Sequence, residues 1–344
     1  YDTSCGTVSS YFAWTNVGKE SVSLDVKHPS GREVLDKLIE RADVVLCNLS
    51  PAAARRLALD ADTLRAQRPG LVVGELSGYG EGGPYTGRKA FDALVQSEAG
   101  LVSLTGEGEV TARAGISVAD IAAGVQLQAA VLAALLQRGR TGEGVTLRLS
   151  LFEALAEWMH QPMLYATGTG APAPRTGAHH PSIAPYGPFT CGDGEAVHLA
   201  VQNDPQWRRL CAKVIGRPEL ADDPRFGTVA DRVRHRPELH AELDFGGWTA
   251  ADLLAALDAA DVPASRTRGI ETLPAHPQLE ARQRWQDVEV PGGSVAMLRP
   301  SVDSDAWGWT PGPVPEHGQH TDHVLRWLGC TEREIDLMRA ESVL

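Results

Sequence analysis

Short apolar segments alternate with helical ones through the first 80 residues, and this order limits the folds open to the chain. Ser21–Val26 alternates polar and apolar residues as a strand does, and 43–48 and 71–77 are apolar runs typical of buried parallel strands. Helices are predicted between them over 29–41, 52–59 and 61–67. This order predicts an α/β fold with a doubly wound parallel sheet.

Ligands in such sheets bind beyond the carboxyl ends of the strands. Asn48 ends one predicted strand, and Ser77-Gly78 ends the next. The glycine-rich segment 78–87 that follows has two interpretations, a plain turn or a phosphate-binding loop. Its spacing matches neither the dinucleotide nor the P-loop motif.

The length of 344 residues predicts a large and a smaller domain. We assign 1–167 to a large Rossmann-like domain, and 168–186, dense in Gly, Pro and Ala, to a linker. A smaller α+β domain is expected over 187–295, and 296–344 is expected to return to the large domain. Because no strand with a glycine-rich turn precedes the first helical pattern, we expect natural N-terminal residues to be missing.

Composition excludes several classes of function. The net charge of −12 argues against a nucleic-acid partner. The five cysteines are scattered without a Cys-x-x-Cys pair, so we predict no metal site and no disulfide framework, and expect a reducing cytoplasm. No apolar run reaches the roughly 18 residues that span a bilayer, so neither a membrane partner nor a signal peptide is expected.

Asp120 is the carboxylate that stands out. It interrupts the small-residue segment 114–124, and 125–136 is almost wholly apolar, which predicts a buried helix that begins just after Asp120. A carboxylate at a helix start either caps the free N–H groups or acts as a nucleophile in a dry pocket. The residue type alone leaves both interpretations open.

A set of motifs in a fixed order resembles the family III CoA-transferases, the CaiB/BaiF type, over nearly the whole chain. The motifs are Asn16-x-x-Lys-x-Ser-Val-x-Leu-Asp-Val-Lys27, Ala42-Asp-Val-Val-x-x-Asn48, Ser77-Gly-Tyr-Gly-x-x-Gly-Pro-Tyr85, Phe91-Asp-x-x-Val-Gln96, Ser103-Leu-Thr-Gly106, Val118-Ala-Asp120, Arg140-Thr-Gly-x-Gly144, Ala221-Asp-Asp-Pro-Arg-Phe226 and Gly318-Gln-His-Thr-Asp322. The resemblance implies a large Rossmann-like domain, a small domain, and a homodimer of interlocked protomers. The join at Asp244-Phe245 looks shorter than the family pattern.

The resemblance also implies the chemistry. Asp120 matches the family's nucleophile, so CoA would pass from an acyl-CoA donor to an organic-acid acceptor through an aspartyl anhydride and an aspartyl-CoA thioester. Coenzyme A is then a substrate, and no permanently bound cofactor is expected. Family positions that contact CoA correspond to Leu24, Val26, Lys27, Asn48, Arg56, Lys89 and Asp92. Arg56 and Lys89 are equally compatible with solvated surface charges.

Phe91 separates two branches of the family. The racemase branch has a histidine here, paired with the aspartate as acid and base. A phenyl ring exchanges no proton, so Phe91 favours transfer, and Asp92 is interpreted as a polar group near the pantetheine or thioester. A 2-methylacyl-CoA racemase-like isomerase and a CoA-binding protein without turnover remain the alternatives.

The linker carries two histidines, His179 and His180, that meet a substrate carboxylate or face solvent. Residues 177–189 resemble branches that use short dicarboxylic acids. We therefore expect a dicarboxylyl donor such as succinyl-CoA and a small carboxylic acid as acceptor. The sequence does not separate one diacid from another.

Overall fold

The computed structural model describes residues 2–344, and these form two compact units. The terminal unit comprises the residues up to Val45, Ala53–Val73 and Ile270–Leu344. The central unit comprises Leu46–Ala52 and Gly74–Gly269. The four-part domain division expected from the sequence stays a prediction.

The elements follow one another in this order: α1 (Ser10–Thr15), α2 (Pro29–Arg41), β1 (Val44–Cys47), α3 (Pro51–Arg56), α4 (Ala61–Gln67), β2 (Val72–Ser77), α5 (Asp92–Glu98), α6 (Leu101–Leu104), β3 (Gly106–Glu107), β4 (Val110–Thr111), α7 (Val118–Thr141), β5 (Thr146–Ser150), α8 (Leu151–Trp158), α9 (His160–Thr169), β6 (Tyr186–Thr190), β7 (Ala196–Ala200), α10 (Asp204–Arg209), α11 (Val229–Arg234), α12 (Arg236–Glu242), α13 (Ala250–Ala259), β8 (Ala264–Arg266), α14 (Pro277–Ala281), β9 (Trp285–Val290), β10 (Gly293–Leu298), α15 (Thr321–Trp327) and α16 (Glu332–Ala340). A π-helical stretch, Leu210–Ile215, continues α10, and 3₁₀ turns cover Pro218–Ala221 and Ile270–Ala275.

The predicted α/β class with a parallel sheet is confirmed. The parallel sheet has the strand order β1-β2-β5. Pro29 is the first residue of α2 and has no N–H to leave unpaired, while the ring of His28 accepts from Ser30 N. The other sheets are antiparallel: β6-β7-β8, and the pairs β3-β4 and β9-β10.

The strand predicted at Ser21–Val26 is wrong. The segment is extended, but its backbone bonds go to the C-terminal part of the terminal unit. Ser21 N donates to the ring of His320 at 3.1 Å, Ser23 N to Thr321 Oγ1 at 2.9 Å, and Asp25 N to the Val343 carbonyl at 2.7 Å. Two of these three acceptors are side-chain atoms, so no continuous backbone ladder forms.

Within the central unit, one apolar core lies between β6-β7-β8 and the helices α10 and α13. Val197, Leu199, Trp207 and Leu253 are fully buried in it. Inward-facing residues alternate along β7, as expected for a sheet with one covered face. We call this cluster of buried residues between Ala184 and Val262 the closed core.

Helices α5, α7, α8 and α9 form what we call the helical layer. Its buried contacts are small clusters around Val95, Ala119 and Leu155, and around Ala122 and Ala154. The prediction that residues 125–136 are buried is wrong for the single chain. The packed face consists largely of alanines, and larger side chains point outward.

By length and hydropathy alone, α7 could cross a membrane, with a mean hydropathy of 1.7 in its most apolar window. Within residues 2–344 it is the one helix that passes this test. A core helix of a globular protein passes the same test, so the finding is weak evidence for a span.

Candidate active site

Asp120 lies in the first turn of α7, which begins at Val118 rather than just after Asp120 as the sequence predicted. Ser117 occupies the N-cap position, so Asp120 is the third helical residue. Ala119 and Ala122 are fully buried, and their methyl groups let this end of the helix pack closely on its neighbours. The Asp120 side chain is exposed.

The carboxylate of Asp120 accepts no hydrogen bond from any residue in 2–344. Although the side chain is exposed, nearby protein atoms displace part of its hydration and raise its pKa, and the negative charge of Asp92 raises the pKa further. The group is therefore more basic than an ordinary aspartate, and both of its oxygens are available.

Asp92, rather than Asp120, serves the free N–H groups at the start of α7. Its Oδ1 accepts from Ala119 N at 2.9 Å. Its Oδ2 accepts from the Gln96 side-chain amide at 2.7 Å. The capping interpretation of Asp120 is thereby replaced by a cap from a neighbouring helix, since Asp92 is the first residue of α5.

Gln96 ends the motif Phe91-Asp-x-x-Val-Gln96, and no role was predicted for it from the sequence. It is fully buried and donates also to the Ile116 carbonyl at 3.3 Å, while its oxygen accepts from Ala114 N at 2.8 Å. The spacing of Asp92 and Gln96 could have predicted their contact, because residues four apart on a helix are neighbours.

Phe91 precedes α5 at its N-cap position and is 70% exposed. It makes no side-chain capping bond. Leu94 and Ile116 are also exposed apolar side chains. The surface beside Asp92 thus carries apolar groups and no second proton-exchanging group at position 91.

Close packing requires glycine at the first position of the glycine-rich segment, Gly78. A Cβ at Gly78 would lie 2.4 Å from the Cβ of Ala90, and the Gly78 carbonyl accepts from Phe152 N at 3.1 Å. Lys89, predicted to contact CoA, is exposed next to Ala90. Asn48 is exposed just after β1.

The remaining predicted CoA contacts belong to the terminal unit. Leu24 packs against a cluster that includes Val34 and Leu325, so part of its surface is used in the core. Val26 is half-buried, and Lys27 is exposed, with its backbone N–H donating to Asp25. Arg56 is exposed at the last residue of α3.

His179 and His180 line a cavity of ≈ 300 Å³ in the central unit. The His180 ring stacks on Tyr186 with centroids 5.1 Å apart. The other residues around the cavity are Leu104, Gln161, Pro162, Tyr165, Ala173, Pro174, Thr176, Gly177, Pro181 and Ser182. No hydrogen bond or ring contact within residues 2–344 joins either histidine to Asp120.

His179 does not face solvent freely. Its ring lies 4.6 Å from that of His240, and Arg236 fastens the same loop by donating to the His180 carbonyl at 2.7 Å. Burial lowers the pKa of His179, and the charge of Arg236 lowers it further. Burial also lowers the pKa of His240, to about 4. Both imidazoles are thus neutral at pH 7.

Residues 2–344 hold no group of three or more His, Cys, Asp or Glu side chains arranged to bind a metal ion.

Comparison with known proteins gives consistent results. Residues 3–321 match the model of the family described as CoA-transferase family III. An acyl-CoA transferase of Fusarium pseudograminearum is 36% identical over 353 residues, which cover 100% of this chain and 76% of the relative. The succinate–glutarate CoA-transferase of Agrobacterium fabrum is 34% identical over 330 residues, covering 94% and 82%. The crystal structure of a CaiB/BaiF family protein from Brucella suis superposes with a TM-score of 0.83 at 31% identity, covering 95% of this chain and 86% of that one.

Proposed function

Because the chain belongs to family III of the CoA-transferases, as its motifs predicted, we propose that it moves CoA from a short dicarboxylyl-CoA to an organic acid through Asp120. The observation that carries the proposal is the state of Asp120. It sits in the first turn of α7 with a raised pKa and no hydrogen bond from residues 2–344 to either oxygen. Such a carboxylate is suited to nucleophilic attack.

The reaction has four acyl exchanges: two transfer CoA from the donor to Asp120, and two transfer it from Asp120 to the acceptor. An Asp120 oxygen attacks the thioester carbonyl, the C–S bond breaks, and CoA thiolate leaves behind an acyl-aspartyl anhydride. The thiolate then attacks the aspartyl carbonyl and expels the donor acid as its carboxylate. The acceptor carboxylate attacks the resulting aspartyl-CoA thioester and releases thiolate, which finally attacks the acceptor's acyl carbonyl. Asp120 is regenerated, and no proton is consumed.

We infer that CoA is bound by Leu24, Val26, Lys27, Asn48, Arg56 and Lys89. Lys27, Arg56 and Lys89 are exposed cations, which suits them to the phosphates of CoA. Asn48 supplies an amide at the carboxyl end of β1, where ligands of parallel sheets bind. Asp92 is omitted from this set, because both of its oxygens already accept hydrogen bonds from the protein.

A short dicarboxylic acid is the substrate class we propose. The relative from Agrobacterium is named for succinate and glutarate. The cavity beside His180 offers the hydrogen-bonding groups of Gln161 and Ser182 among apolar walls, which would suit a small acid with a polar end.

We propose a homodimer, in line with the interlocked assembly that the family resemblance implies. Leu132 and Leu136 on α7, and Met163 and Leu164 on α9, are more than half exposed. Exposed apolar side chains of this size on two helices of the same layer favour cover by a second copy.

Intact-protein mass spectrometry after mixing with succinyl-CoA tests the role of Asp120. We expect a CoA-sized adduct that maps to Asp120 and is removed by hydroxylamine. Asp120→Asn keeps the shape of the side chain but removes the nucleophile, so we expect no adduct and a loss in kcat on the order of 10⁴-fold or more. Glu143→Gln, just past the other end of α7, is the matched control for loss of one carboxylate.

Turnover by Asp120→Asn within tenfold of the unmodified chain would exclude covalent catalysis by this residue. Exchange of the substrate's α-hydrogen with solvent deuterium, without an adduct, would instead support the racemase-like alternative. Phe91 argues against that result, because a two-base mechanism needs a second titratable group.

A further inference from the structure

The buried side-chain amide of Gln96 forms hydrogen bonds with the backbone of the segment that leads into α7. Gln96 on α5 reaches 18 to 20 residues along the chain, accepting from Ala114 N at 2.8 Å and donating to the Ile116 carbonyl at 3.3 Å. The same amide donates to Asp92 Oδ2 at 2.7 Å. The buried side chain is therefore fully paired, and it links α5, the loop and Asp92 into one unit.

Asp92 in turn occupies an N–H group beside the nucleophile. Its Oδ1 accepts from Ala119 N at 2.9 Å, in the residue that precedes Asp120. An acidic side chain at the third helical position readily turns back toward the free N–H groups of its own helix start. Asp92, which lies outside α7, accepts a hydrogen bond from one of these N–H groups, that of Ala119. Asp120 accepts no hydrogen bond from the start of its own helix.

We propose that Gln96 and Asp92 are positioning residues for Asp120: Gln96 holds Asp92 against the Ala119 N–H group, so that the first turn of α7 presents both Asp120 oxygens to the acyl group. This inference rests on the function proposed above and deepens it. Neither residue touches the reacting atoms in this arrangement. Their effect is exerted through the conformation and the local charge of Asp120.

Asp92 is the acidic residue near the start of α7 whose charge acts on Asp120. The other acidic side chains on α5 and α8 are paired or exposed. On α5, Glu98 pairs with Arg88 at 3.5 Å. On α8, Glu153 accepts from the Ser150 hydroxyl at 2.7 Å, and Glu157 is exposed. Among residues 2–344, Asp92 is the charged residue whose negative charge raises the pKa of Asp120, in addition to the effect of burial. Its charge therefore strengthens the basicity of the nucleophile.

The test is the single-turnover rate of adduct formation with succinyl-CoA, followed by quenched-flow mass spectrometry across pH. Asp92→Asn removes the charge and sets its amide against the Gln96 amide. We expect a slowing on the order of 30-fold with little change in KM for succinyl-CoA. The acid limb of the rate profile should move to lower pH, because loss of a neighbouring negative charge lowers the Asp120 pKa.

The double variant Asp92→Asn/Gln96→Glu restores the hydrogen bond between the side chains at positions 92 and 96. It moves the negative charge from position 92 to position 96. A glutamate at position 96 accepts from Ala114 N and from the new asparagine amide, whose oxygen still accepts from Ala119 N. Only the longest of the three Gln96 bonds, the one to the Ile116 carbonyl, is lost. We expect a rate within about fivefold of the starting protein. Gln96→Leu, which breaks all three bonds, should be slow while retaining the Asp92 charge. Glu143→Gln serves as the control, and thermal unfolding by circular dichroism checks that each variant folds.

Rescue in the double variant, with the pH shift in the single one, supports positioning over general destabilisation. An Asp92→Asn rate within twofold, or a double variant no faster than the single, overturns the inference while the adduct itself upholds the proposed function. Absence of any adduct on the starting protein overturns both. Should Gln96→Leu fail to fold, the two Asp92 variants decide the matter.

Discussion

The closed core and the helical layer belong to the same unit but differ in how completely their apolar side chains are buried. In the closed core, large side chains such as Trp207, Phe226 and Leu253 are fully buried among one another. In the helical layer, Leu132 and Leu136 are 56% and 70% exposed. The closed core is therefore completed by its own chain, whereas the helical layer leaves apolar surface uncovered in the single chain.

The candidate nucleophile lies in the open region. Asp120 lies in the first turn of the long helix α7, whose outer face is uncovered, and the residues that organise this turn belong to α5 of the same layer. Sites that bind a substrate must keep a surface accessible, so an incompletely covered layer is a reasonable place for one. We therefore expect substitutions in the closed core to change stability, and substitutions in the helical layer to change assembly or activity.

The largest effect on stability is expected from Trp207→Ala in the closed core. Removing this fully buried indole should lower the free energy of unfolding by about 3–5 kcal/mol. Trp158→Ala on α8, where the indole is half exposed, should cost about 1 kcal/mol or less. Urea unfolding followed by circular dichroism at low protein concentration measures both. Equal losses would remove the distinction between the two regions.

The His179–His240 contact beside the closed core should make stability depend on pH. Because burial lowers the pKa of His240 to about 4, the folded state binds fewer protons than the unfolded state between that value and about 6.5. The stabilisation is present above pH 6.5 and is lost as the pH falls toward 4, by up to about 3 kcal/mol.

Urea unfolding at a series of pH values measures this dependence. Replacing His240 with glutamine should flatten the curve over that range. His160→Gln, at an exposed position on α9, is the matched control for the loss of one histidine. A slope that survives in His240→Gln would assign the acid sensitivity to other groups.

The smallest expected effect on stability comes from Leu136→Lys in the helical layer. This side chain is largely exposed in the single chain, so the substitution should change unfolding of the protomer by only about 0.5 kcal/mol. If a second copy covers α7, dimer dissociation should increase tenfold or more, because a charge would be buried. Sedimentation velocity over a concentration series measures it.

Val302→Lys, at an exposed loop position of the terminal unit, is the matched control. Identical sedimentation of the two variants would mean that α7 is covered by something other than a second copy, or by nothing.

Elements with strong local signals were predictable from the sequence. The helix Pro29–Arg41 follows from a proline at its first position and from apolar residues at helical spacing. The family and its transferase activity were likewise predictable, because the motifs recur in order along nearly the whole chain. These signals are local or cumulative, so they require no knowledge of which distant residues meet.

Other features depended on contacts between residues far apart in the chain. The extended segment at Ser21–Val26 became no strand because its partners are His320, Thr321 and Val343, about 300 residues away. The sequence by itself determined the α/β class, the helices at Pro29–Arg41 and Ala61–Gln67, and the candidacy of Asp120. Only the tertiary structure decided that Asp92 and Gln96 organise the start of α7 and that its apolar face stays open, since hydrogen-bond partners and burial arise when distant segments pack together.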